Sequence, residues 1–155
     1  MEFLSVGKQI PDFSLKNQDE ITITQQSFPD KKILIYFYPK AMTPGCTTQA
    51  CSLRDTKNEL DSRDVIVLGV SPDLPAKLKK FQIRDQLNFD LISDPDHKLA
   101  DAFGVWGPKK FMGKEYDGIH RISFLIDESG KVIHIFDKFK TTDHHQVVLN
   151  YLDTL

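Results

Sequence analysis

The sequence predicts an α/β fold: a central mixed β-sheet flanked by helices, extended at its amino-terminal end by a small β-hairpin. Three observations predict it. Two continuous apolar runs, Ile33–Tyr38 and Val65–Val70, lack the alternation of a half-exposed strand, so both faces of each must be covered. Between them, Thr47–Asp64 carries apolar residues at helical spacing, with Cys46, Ala50, Leu53 and Leu60 on one stripe. Further on, Ile122–Ile126 and Val132–Phe136 flank Asp127-Glu128-Ser129-Gly130, a composition suited to a hairpin turn.

The elements follow in chain order. Phe13–Leu15 and Ile21–Thr24 read as the small edge hairpin. Ile33–Val70 is a strand–helix–strand unit, whose strands lie parallel through a right-handed crossover. A second helix is expected over Pro75–Gln86, with Leu74, Leu78 and Phe81 on one face and lysines opposite. A short strand near Phe89–Ile92 and a short helix at His97–Phe103 come next, before the hairpin strands. A helix from about Asp143 closes the chain. Parallel strands followed by an antiparallel hairpin are compatible with a thioredoxin-like sheet.

A length of 155 residues suits one domain, 1–155, with a core large enough to need no staples. Hydrophobic residues at 40% and charged ones at 27% are ordinary for a globular chain. A net charge of −2 supplies no field to recruit nucleic acid or an anionic membrane, so the expected partner is a small substrate or a protein met through a specific patch. Glu2 is acidic and no long apolar run precedes Pro11, which is unlike a secretory signal, and no stretch is long enough to span a bilayer. The expected location is therefore the cytoplasm.

Cys46 and Cys51 are the only cysteines. A structural disulfide is out of place in a reducing cytosol, which leaves inert packed thiols, half of a metal site, or a redox pair. Their setting is informative. The segment Tyr36 to Cys51 lies at the carboxyl end of the first buried strand, where open α/β sheets place ligands. Thr43 followed by Pro44 reads as an N-cap with proline at the first helical position. Gly45 allows close backbone approach to whatever binds there. Cys46 then falls at the third position of the helix, where free backbone N–H groups and the helix macrodipole favour a thiolate over a thiol. The Thr43 hydroxyl can cap the helix or donate to the sulfur or to a bound oxygen. In an intact helix, residues 46 and 51 have Cα atoms roughly 8–9 Å apart, too far for a disulfide, so bonding would require the first turns to unwind. Four intervening residues do not match the two of a thioredoxin-type exchanger. His97, His120, His134, His144 and His145 supply no recognisable zinc spacing; packing or solvation is expected for each, and solvation for the His144-His145 pair.

Pro39, Thr43 and Cys46 in this spacing resemble the active-site pattern of peroxiredoxins. The stretch from Tyr36 through Cys51 to Leu53-Arg54-Asp55 is similar to the bacterioferritin comigratory protein, or Q-type, branch. The likeness continues through Phe103–Gly107, Gly118–Asp127 and the last helix, and so covers essentially the whole chain. The resemblance implies a thioredoxin-like fold and a thiol-dependent peroxidase without metal, haem or flavin. It assigns Cys46 as the peroxidatic cysteine that becomes a sulfenic acid, and Cys51 as the resolving cysteine that forms an intramolecular disulfide with it. Thr43 matches the threonine that hydrogen-bonds the peroxide, with Gly45 beside it in the substrate site. Pro39 matches the proline that shields the thiolate. Arg121 matches the arginine that stands beside the sulfur and stabilises its charge. Thioredoxin is the implied reductant, with glutaredoxin as the second candidate, and the substrates are hydrogen peroxide and organic hydroperoxides. With no cysteine after Cys51, resolution by a partner subunit is closed, which favours a monomer. The alternatives on the same fold are a disulfide exchanger or thiol sensor, or an interaction domain with incidental cysteines. Trp106 is expected to pack.

Overall fold

The computed structural model describes residues 2–155. A five-stranded sheet forms the centre, and its middle strand is β3, Lys32–Phe37. On one side β3 pairs in parallel with β4, Val65–Ser71, which pairs in parallel with β5, Asp90–Ser93. On the other side it pairs antiparallel with β8, Ser123–Ile126, which pairs antiparallel with the edge strand β9, Val132–Phe136. The predicted mixed sheet, with parallel strands first and the hairpin last, is thus the observed one. The edge hairpin is β1, Ser14–Lys16, with β2, Thr22–Thr24, each one residue off its expected start.

Both faces of the sheet are covered, which is why β3 and β4 read as unbroken apolar runs. Leu34 and Tyr36 of β3 join Val65 and Val67 of β4 in one core. That core is closed by α1 (Pro44–Asp55), α2 (Lys57–Asp61), α3 (Pro75–Asp85) and α5 (His144–Leu152). Ile33, Ile35 and Phe37 point the other way, to Leu68, Val70, Phe103 and Phe124, beneath α4, Lys98–Phe103. Gly69 faces the first core opposite Tyr36. A Cβ there would lie 2.9 Å from the tyrosine ring, so only glycine lets the ring lie flat on the sheet.

Three expectations need correction. α1 begins at Pro44, as the Thr43-Pro44 cap predicts, but the single helix expected to run on to Asp64 breaks at Thr56 (φ −99°, ψ 4°) into α1 and α2. The Thr56 hydroxyl donates to Ser52 O at 2.7 Å, giving the backbone a local alternative to the helix. Leu74 does not share the buried face of α3: it is extended and 62% exposed, leaving Leu78 and Phe81 as the contacts. Finally, a hairpin that the apolar pattern does not announce, β6 (Trp106–Phe111) and β7 (Lys114–Ile119), projects from the domain. Its turn residues, Met112 (φ 51°) and Gly113 (φ 80°), are both left-handed, as a two-residue turn between twisted strands requires. The hairpin is mostly exposed and polar, so no core-facing periodicity betrays it.

Candidate active site

The site starts where β3 ends. Tyr38 N–H continues the ladder to Val70 O at 3.0 Å, and Pro39, half-buried, turns the chain off the sheet. The loop that follows is held by Asp73. Its carboxylate accepts Ala41 N–H at 2.8 Å and the Ser71 hydroxyl at 2.8 Å, and pairs with Lys77 at 3.3 Å. Met42 takes a left-handed turn (φ 67°), and Thr43 enters the helix in extended conformation at the N-cap position. The Thr43 side chain makes no cap bond; its hydroxyl donates to Lys40 O at 2.7 Å. Pro44 occupies the first helical position, so no N–H is wasted there.

Cys46 is third in α1 and 1% exposed. Arg121 reaches it from the segment between β7 and β8. The ladder bond from Phe37 N–H to Ile122 O, 3.0 Å, sets that segment alongside the end of β3. Nη1 of Arg121 donates to Cys46 Sγ at 3.3 Å and to Gln49 Oε1 at 2.9 Å. Gln49 lies one turn beyond Cys46 on the same helix face and is itself 1% exposed. It escaped the sequence reading, although the spacing of three from Cys46 was a usable signal. At Gly45 a Cβ would stand 3.5 Å from Arg121 Nη2 and 3.6 Å from Thr141 Cγ2. A methyl group therefore fits there, whereas a larger side chain would press on the guanidinium. Lys109, on the hairpin, was also not anticipated. It donates to Ile119 O at 2.7 Å, and burial together with the Arg121 charge holds its amine below the usual lysine range.

Cys51 is half-buried and its thiol is free, as is that of Cys46. Burial raises the Cys51 thiol above its ordinary range, while the Arg54 guanidinium pulls it back. Beneath the site, His144 is fully buried, contrary to the solvated pair expected at 144–145. The reason is the packing of α5, which sets this residue against Ser123 of β8 and Tyr36 of β3. Its Nε2 meets the Ser123 hydroxyl at 2.8 Å, and its ring lies 4.4 Å from Phe139. Two further histidines pack as expected: His97 stacks on Trp106 at 3.9 Å, and His134 on Tyr151 at 3.9 Å.

A buried thiol in the first turn of a helix, with a guanidinium on its sulfur, is an arrangement that can attack an electrophile and hold the charge that results. Comparison with known proteins agrees. Residues 6–135 match the AhpC/TSA family, and the chain belongs to that family. A Haemophilus influenzae chain designated a bcp peroxiredoxin is 61% identical over 155 residues, covering 100% of each chain. Peroxiredoxin Bcp of Escherichia coli is 57% identical over 152 residues, 98% of this chain and 97% of its own. A solved structure of the bacterioferritin comigratory protein of Xanthomonas campestris, described for its alkyl peroxide reduction activity, gives a TM-score of 0.86 at 32% identity. It covers 92% of this chain and 90% of its own. Within the family the chain is a peroxiredoxin of the Bcp or Q type, a thiol peroxidase on the thioredoxin-like fold.

Proposed function

We propose that this single-domain chain, 1–155, reduces hydrogen peroxide and organic hydroperoxides through Cys46, is resolved by Cys51, and is recycled by thioredoxin, with glutaredoxin as the second candidate reductant. The observation that carries the reading is the 3.3 Å contact from Arg121 to the sulfur of a buried cysteine at a helix N-terminus. The Cys46 thiolate attacks the peroxide: an S–O bond forms, the O–O bond breaks, and the departing oxygen takes up a proton as water or an alcohol. Arg121 holds the negative charge that passes from sulfur to the leaving oxygen. Gln49 fixes the guanidinium in that position. Thr43, once released from Lys40 O, has a hydroxyl hydrogen for the peroxide, and Pro39 and Gly45 bound the approach. The sulfenic acid then condenses with Cys51 to a disulfide with loss of water. The reductant returns both thiols. Because both cysteines belong to one chain, a monomer working in the cytoplasm suffices.

The test is the rate at which the fully reduced protein consumes one equivalent of hydrogen peroxide, with intact mass at the end. A rate orders of magnitude above that of a free thiol, loss of two hydrogens and disappearance of both thiols are expected. Cys46→Ser abolishes the reaction, and Cys51→Ser stops it after one turnover at an added oxygen. A rate no better than a free thiol would turn the reading to a disulfide exchanger or a thiol sensor.

A further inference from the structure

The resolving step needs its own nucleophile. Cys51 sits in a setting that works against one, because burial raises its thiol. The charged and titratable groups facing it are Arg54 and Asp55 from α1, Arg84 and Asp85 from α3, and the buried Tyr36 from β3. Of these only Arg54 contacts the sulfur, with Nη1 at 3.6 Å from Sγ. The same nitrogen has a second hydrogen, which it donates to Asp85 O at 2.7 Å. Asn88 Nδ2 in turn donates to Arg54 O at 3.1 Å, and Arg54 Nε donates to Asp55 at 2.8 Å. Side chain and backbone of Arg54 are therefore pinned to the last residue of α3 and to the turn that follows it. That turn lies outside the helix that has to unwind.

We propose that Arg54 is a catalytic residue of the resolving step, holding Cys51 as the thiolate that attacks the oxidised sulfur of Cys46. This deepens the peroxidase reading above and rests on Cys51 being the resolving cysteine. In the step, Cys51 gives up its proton and its sulfur forms a bond to the Cys46 sulfur. The S–O bond of the sulfenic acid breaks, and the departing hydroxide takes the proton to leave as water. The fixed anchor gives Arg54 its use: while the Cys46 end of α1 loosens, the guanidinium stays on the Asp85 carbonyl and keeps Cys51 beside a positive charge. A guanidinium joins two hydrogens on one nitrogen to a permanent charge held in a planar fork; glutamine keeps the two hydrogens without the charge, and lysine keeps the charge without the planar geometry.

The experiment isolates the Cys51 thiol in the full-length Cys46→Ser chain and follows its alkylation by iodoacetamide against pH. The comparison adds Arg54→Gln, which keeps a donor without the charge, and Arg54→Lys, which keeps the charge without the fork. The midpoint is expected to rise by about one pH unit in the glutamine variant and by less in the lysine variant. With both cysteines present, disulfide formation after one equivalent of hydrogen peroxide at pH 7 is expected to slow about tenfold in Arg54→Gln. An unmoved midpoint in the glutamine variant overturns the assignment. So does an equal rise in both variants, which would report lost structure rather than lost charge. Failure of the peroxidase reading looks different: the unsubstituted chain would then react with hydrogen peroxide no faster than a free thiol.

Discussion

In the proposed reading, a single guanidinium contact separates a reactive cysteine from a packed one. Cys46 is as buried as any core residue, and among the described residues its one side-chain hydrogen bond is from Arg121. In the attack on peroxide, charge moves off sulfur and onto the leaving oxygen, and a donor already in place costs no reorganisation at that moment. Arg121→Gln is therefore expected to slow sulfenic acid formation by about a hundredfold, the usual loss on removing one such donor. Stopped-flow peroxide consumption reads this directly, and a change under about threefold would remove Arg121 from the mechanism. Gln49 belongs to the same unit through its 2.9 Å bond to Arg121, so its effects and those of Arg121 should not add.

The helix is the next scale. α1 is intact from Pro44 to Asp55, with Thr47 N–H closing its first turn on Thr43 O at 2.8 Å. Five residues of ideal helix keep the two Cα atoms roughly 8–9 Å apart, whereas a disulfide needs less than about 7 Å. A bond between the two sulfurs thus demands that the turns between Cys46 and Cys51 open, although the burial of Ala50 in the core opposes this. Amide NMR spectra of the dithiol and disulfide forms should differ across residues 43–53 and agree along β4 and β8. Superimposable spectra would exclude an intramolecular disulfide. Much of this element was legible beforehand. Thr43-Pro44 marked its start within a residue, because proline at the first position is a local signal. Its early end at Thr56 was not, because a hydroxyl bonding back four residues leaves the apolar stripe unchanged.

At the scale of the whole molecule, His144 couples the core to pH. It lies where α5 crosses the sheet, hydrogen-bonded to Ser123, in the same core as Tyr36. Burial, then the charges of His145 and Arg121, hold its imidazole at about 3 instead of the ordinary 6.5. The folded state thus refuses a proton that the unfolded chain accepts. The stability from keeping His144 neutral is complete above pH 6.5 and falls as the pH drops from there towards 3. The loss is about 1.4 kcal/mol per pH unit. Denaturant melts should show the wild-type chain losing about 2 kcal/mol more than His144→Gln between pH 6.5 and pH 5. An equal loss in both would mean that His144 is protonated in the folded protein.

The sequence by itself determined the elements whose signal is local and periodic. The two-sided burial of β3 and β4, the strand-to-helix junction and the position of Cys46 in the first helical turn all follow from residues within a few places of one another. It also placed Cys51 at a distance no helix can bridge. Only the tertiary structure decided which remote side chains meet at that junction. Arg121, which the family resemblance alone had set beside the sulfur, stands 75 residues from it, and nothing in its neighbours says where a long flexible side chain will point. Sheet order and register bring it there. The same holds for the Asp85 carbonyl that anchors Arg54, for Asp73 under the active-site loop, and for the burial of His144. Local periodicity records which face of an element is covered; it carries no record of what covers it.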